Sequence, residues 1–151
     1  MVWILAALAA VWFVLLLAAA LLPVPLSATI YAIGSLICHQ RPERSFWLAG
    51  QQLPVCARCI GIYAGVVIGG AIAPLLGRVA RPRLLIVLAT VPALLSLAVE
   101  WTGMGRPSNV LRATTGVLAG SVIAAVVLAT LHYERCVRPQ PNVPNRPATP
   151  I

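Results

Sequence analysis

The sequence predicts an all-α integral membrane bundle of four transmembrane helices plus one short interfacial or re-entrant helix. Two observations carry that expectation. Hydrophobic residues make up 60% of the chain and charged residues only 9%, with a mean hydropathy of +0.94, more apolar than the core of a soluble domain requires. The apolar residues also fall in uninterrupted runs of membrane-spanning length instead of in the alternating pattern of half-buried strands.

Val2 to Leu22 carries no charge and matches the roughly 20 residues that cross a hydrocarbon core. It has no basic leader and is long for a signal peptide, so a retained first helix is expected. Leu26 to Cys38 is apolar but short, and it follows Pro23 and Pro25; this is the segment read as interfacial or re-entrant. Ile60 to Leu76, bounded by Arg58 and Arg78, is the second span. Leu84 to Val99 is the third and closes on Glu100 and Trp101, and Val110 to Leu131 is the fourth. Residues 1–137 therefore form a single polytopic domain. From Arg138 to Ile151 prolines recur at 139, 141, 144, 147 and 150 among polar spacers, the composition of a disordered cytoplasmic tail.

All 11 basic residues are arginine, set against Glu43, Glu100 and Glu134, for a net charge of +8. These arginines flank apolar runs, as positive-inside topology and lipid headgroups require. No basic run or aromatic stacking platform appears, so nucleic acid is not an expected partner. Four spans put Arg78, Arg81, Arg83, Arg135, Arg138 and Arg146 on one side and Arg41, Arg44, Arg58, Arg106 and Arg112 on the other. The second set is interleaved with chemistry-bearing residues, so the first set is taken to mark topology. Both termini are then cytoplasmic, in a multi-pass protein of the cell (inner or plasma) membrane, with the cysteine connection outside. Membrane lipids are the expected partners, and self-association into a homo-oligomer is left open.

Gly61, Gly65 and Gly69 recur every four residues on the second span, and Gly116 and Gly120 do so on the fourth. Small residues at that spacing let helix backbones approach closely.

The connection between the first and second spans carries the chemistry. Cys38 and His39 are adjacent, and Cys56 and Cys59 follow as a Cys-x-x-Cys pair. Three thiols and an imidazole are the ligand set of a tetrahedral metal site, zinc most simply, or another transition metal. Adjacent side chains point apart, so Glu100 or water is the alternative to His39 in the fourth position. Glu100 ends an apolar helix, where a carboxylate is costly unless it meets a cation, a metal or water. The topology brings Glu100, Asn109 and Arg112 to the side that holds the thiols.

Three strings, CHQRPERSF from Cys38, LPVCARCIGIYAG from Leu53 and GRPSNVLRATTGVLAG from Gly105, resemble the hallmarks of a family of small bacterial and archaeal membrane proteins known only as a domain of unknown function. This chain departs from the family pattern at Ile60, where threonine is usual. The resemblance implies a motif core of Cys38, His39, Gln40, Arg44, Ser45, Cys56, Arg58, Cys59, Gly61, Tyr63, Gly65, Asn109, Arg112 and Gly116. It implies no activity.

Three functional classes remain. The first is a metal site of Cys38, His39, Cys56, Cys59 and Glu100, with Gln40, Arg44, Ser45, Arg58, Asn109 and Arg112 as surrounding or substrate-facing groups. The second is thiol–disulfide exchange through Cys56 and Cys59, helped by Arg58 and His39 and with Cys38 as shuttle; it lacks a second cysteine pair on the same side, since Cys136 falls on the opposite face. The third is capture of anionic lipid headgroups by Arg41, Arg44, Arg58, Arg106 and Arg112. No phosphate loop, metalloprotease helix, nucleophile elbow or carboxylate pair is present, so no enzyme class is assigned.

Overall fold

The computed structural model describes residues 2–76 and 79–137. Arg78 and the proline-rich tail lie outside the described residues. Five helices follow one another, α1 (Val2–Ala18), α2 (Val24–Ile37), α3 (Ala57–Ile72), α4 (Pro82–Trp101) and α5 (Asn109–Val137). A small antiparallel pair, β1 (Trp47–Leu48) and β2 (Gln51–Gln52), lies in the loop between α2 and α3, with Trp47 opposite Gln52 and Leu48 opposite Gln51.

Four of these helices, with the short turns that extend α1 and α3, are long and apolar enough to span a membrane: Trp3–Leu21, Ala57–Leu75, Pro82–Trp101 and Asn109–Tyr133. Their outward faces carry large apolar side chains, among them Trp3, Leu8, Leu94 and Leu95, as a lipid-facing surface must. Helix α2 has 14 residues, a length of roughly 21 Å at the α-helical rise, short of a hydrocarbon core of roughly 30 Å. Pro23 precedes its first residue and a proline stands in its first turn, where the missing N–H is harmless. The hydroxyl of Ser27 donates to the Ala19 carbonyl at 2.9 Å, which ties α2 back to the end of α1.

Helices α3 and α5 form the tightest pair, with α1 against α3 and α4 against α5. The glycine series explains that closeness. A Cβ built on Gly61 would stand 2.2 Å from the Ala113 carbonyl oxygen, one on Gly65 2.4 Å from that of Val117, and one on Gly116 2.5 Å from that of Arg58. At each of these positions the backbone of one helix occupies the space a side chain would fill on the other.

Candidate functional site

The loop between α2 and α3 is pinned by amides. Gln40 takes a positive φ of 48°. Its side-chain nitrogen donates to the carbonyls of Tyr31 and Pro54, both at 2.8 Å, and its own carbonyl accepts from the side chain of Gln52 at 2.6 Å. Gln52 also donates to the Ser45 hydroxyl at 3.2 Å, and that hydroxyl donates to the Arg41 carbonyl at 2.9 Å. The Tyr31 hydroxyl donates to the Gln52 carbonyl. Asn109, at the start of α5, donates to the Ser45 carbonyl at 3.1 Å, joining the loop to the bundle. Below the loop lies an apolar cluster of Leu16, Ile30, Leu53, Val55 and Ile60, packed against Phe46 and Tyr63.

This scaffold sets three sulfurs together. Cys38 caps the C-terminus of α2, its N–H donating to the Gly34 carbonyl at 2.9 Å. Cys56 is the N-cap of α3 and Cys59 lies in its first turn. The ligand atoms of Cys38, Cys56 and Cys59 all lie within 4.8 Å of one another, and the Cys56 and Cys59 sulfurs are 3.4 Å apart. All three are free thiols, Cys38 buried and the others partly buried. The backbone N–H of Cys56 donates to the Cys38 sulfur at 3.1 Å. Hydrogen bonds from the thiols of Cys56 and Cys59, and from this N–H, hold the Cys38 pKa far below the ordinary thiol range, because each favours the thiolate. The positive end of the α3 dipole acts in the same direction.

A tetrahedral thiolate centre with metal–sulfur bonds of about 2.3 Å places its sulfurs about 3.8 Å apart. The trio is compatible with that spacing. His39 is exposed and stands outside the sulfur group; the extended backbone at Cys38 turns consecutive side chains apart. It still lines the cleft of about 600 Å³ into which the thiols face, together with Arg41, Arg44, Arg58, Glu100 and Arg112.

Glu100 belongs to a second cluster on the far wall of that cleft. Its side chain is 4% exposed. Arg44 meets one carboxylate oxygen through Nε at 2.8 Å, Arg112 meets the same oxygen at 3.0 Å, and Arg58 lies 3.5 Å from the other. Arg112 also donates to the Asn109 side chain at 2.7 Å, and Arg58 to the Ser96 hydroxyl at 3.0 Å. One carboxylate thus faces three guanidiniums, and Arg58 Nε, Arg112 Nε and Glu100 Oε2 are buried without a hydrogen-bond partner. The cation that an intramembrane carboxylate requires is here supplied three times over.

The structure therefore divides the expected residues into two neighbouring groups. Cys38, Cys56 and Cys59 form the thiol wall, and Arg44, Arg58, Glu100, Asn109 and Arg112 form the charged wall. Gln40 and Ser45 brace the loop that holds both. Sequence reasoning missed Ser96 and Gln52. Ser96 had a usable signal, since a hydroxyl four residues before Glu100 in an apolar helix shares its face. Gln52 had none, because its role depends on a loop conformation with no periodicity.

The chain has recognisable relatives. The family described as predicted membrane protein (DUF2085) matches residues 38–126, a range holding both walls. An uncharacterised protein of Methanocaldococcus jannaschii is 36% identical over 107 residues, 68% of this chain and 69% of that protein. Another, of Methanothermobacter thermautotrophicus, is 36% identical over 98 residues, 64% of this chain and 88% of its own length. No solved structure matches. The chain is a member of this DUF2085 family of membrane proteins.

Proposed function

We propose that Cys38, Cys56 and Cys59 bind a transition metal, zinc most simply, on the exoplasmic side of the membrane, in a structural centre or one that handles the metal. The observation that carries this reading is the convergence of three sulfurs from two separate elements to within 4.8 Å, with hydrogen bonds already favouring a thiolate at Cys38. Metal binding requires deprotonated thiols, and an arrangement that stabilises one before the ion arrives lowers that requirement. His39 and Glu100 are the candidate protein donors for the fourth position, since both line the same cleft.

Elemental analysis of the protein purified under reducing conditions tests the reading. Wild type should carry close to one equivalent of metal, and Cys38→Ser, Cys56→Ser and Cys59→Ser should each lose it. Protein that neither copurifies with zinc nor rebinds it would sink the proposal. His39→Ala separates two forms of site: a closed Cys3His centre weakens sharply, whereas one left open to water or substrate keeps its metal.

A second reading is favoured by the 3.4 Å approach of Cys56 to Cys59 at a helix N-terminus, the setting of reactive dithiols. The pair would close to a disulfide, passing two electrons and two protons to a partner disulfide. Alkylation of acid-quenched cells should then find both oxidised and reduced forms. Thiols reduced under all growth conditions would exclude this role.

A further inference from the structure

We propose that a second cleft, beside the thiol cleft, binds a phosphate-like oxoanion, either free or as a lipid headgroup. It measures about 710 Å³ and is bounded by the loop between α2 and β1, the turn from α4 to α5 and the first residues of α5. None of the three thiols lines it, although Arg41, Arg44, Glu100 and Arg112 line both clefts, so an oxoanion can be held here with or without a metal at the sulfurs.

Charge is the first argument. Arg41, Arg44, Arg106 and Arg112 line this cleft against Glu43 and Glu100, a formal surplus of two positive charges. Glu100 is further shared with Arg58 from the thiol side, so its charge does not serve this cleft alone. An anion of charge two would balance that formal surplus.

Donor geometry is the second argument. Arg44 meets Glu100 through Nε at 2.8 Å and lies 3.9 Å from Glu43 through the same atom. No hydrogen bond is found between its terminal nitrogens and the described residues, so they are the donors offered to this cleft. Arg41 and Arg106 are exposed and make no ion pair with the described residues. Arg112 differs from these. It is 5% exposed, its terminal nitrogens are held by Glu100 and Asn109, and its Nε is buried without a partner. It therefore acts on the cleft through its field, while Arg41, Arg44 and Arg106 supply the contacts.

The third argument is the floor. Ser108 and Asn109 lie at the N-terminus of the long helix α5, where the dipole adds partial positive charge. Gly103, at a φ of 72°, and Gly105 leave the rim without bulky side chains. Guanidiniums approaching from several sides, over a positive helix end, can meet the oxygens of a tetrahedral dianion on several faces at once.

The test uses the full chain in phosphatidylcholine nanodiscs. One arm titrates inorganic phosphate by calorimetry, and the other measures phosphatidic acid retained on the purified protein by native mass spectrometry. The probe variant is Arg41→Gln with Arg106→Gln, two exposed substitutions, and the control is Arg81→Gln with Arg83→Gln at the far end of α4. Affinity should fall at least tenfold in the probe, about 1.4 kcal/mol, with an unchanged melting temperature and with the control at wild-type affinity. Loss in the inorganic arm supports a free oxoanion, and loss confined to the lipid arm supports a headgroup. Absence of binding in both arms, or a control as weak as the probe, overturns the proposal.

Discussion

Replacing Glu100 with glutamine removes one charge from the bundle and almost no volume. The amide retains an acceptor oxygen but turns the other oxygen into a donor, which must face a guanidinium that is itself only a donor. Arg44, Arg58 and Arg112 would lose the carboxylate they share at 2.8, 3.5 and 3.0 Å. Their freedom to escape differs. Arg44 is 31% exposed and reaches water most easily, Arg58 at 18% less so, and Arg112 at 6% least. Breaking one partner of a buried ion pair costs about 3–5 kcal/mol, because the remaining charge is left without compensation. At roughly 2–4 °C per kcal/mol for a chain of this size, the melting temperature should fall by about 6–20 °C. Thermal unfolding in detergent, followed by circular dichroism, reads this out. Glu43→Gln is the internal control: its carboxylate is 60% exposed and 3.9 Å from Arg44, a pair expected to contribute almost nothing. Adding Arg58→Met to Glu100→Gln should recover part of the loss by removing surplus charge. A drop below about 3 °C, or one matched by Glu43→Gln, would refute the view that Glu100 is the electrostatic keystone of the bundle's mouth.

The helix contact yields a second expectation. Gly65→Ala puts a methyl group 2.4 Å from the Val117 carbonyl oxygen, and parting α3 from α5 should cost about 1–3 kcal/mol by analogy with overpacked cores, visible as a lower melting temperature. Gly50→Ala has open space around its Cβ but sits at a φ of 78°; its penalty should be backbone strain alone, about 1 kcal/mol, with metal content unchanged. Gln40→Ala removes the two bonds that hold the loop to Tyr31 and Pro54, so the thiols lose their support and zinc affinity should fall about 10–100-fold in a chelator competition. Gly34→Ala should do the same by another route, because its Cβ would stand 2.5 Å from the Pro54 carbonyl oxygen and 3.0 Å from the Gln40 amide nitrogen. Zinc affinity unaltered in both would show that the loop scaffold does not position the sulfurs.

The two walls also bear on each other. A thiolate centre holding a divalent ion carries net negative charge, and the guanidiniums of Arg58 and Arg112 line the same cleft. An anionic ligand of the metal would therefore meet cations on its other side. On the metal-binding reading, the charged wall selects what approaches the ion, and Glu100 holds that wall in position.

The sequence by itself determined the setting and much of the fold. Apolar runs of spanning length specify helices through local hydropathy alone, so α1, α3, α4 and α5 were legible to within a few residues, and the glycine spacing announced where α3 and α5 touch. The Cys-x-x-Cys pair was equally plain, since two thiols three residues apart share a turn. Tertiary structure decided which distant groups these elements met. Nothing local distinguishes Glu100 as a metal ligand from Glu100 as a counter-ion; the packing of α4 against α5 delivers Arg112, the loop delivers Arg44, and α3 delivers Arg58. His39 shows the same division: its identity suggested a ligand, while the fold places it on the rim of the thiol cleft, outside the group of three sulfurs. Helices are specified by neighbours along the chain, but the partner of a buried charge is specified by whichever cation the fold brings within a few ångströms.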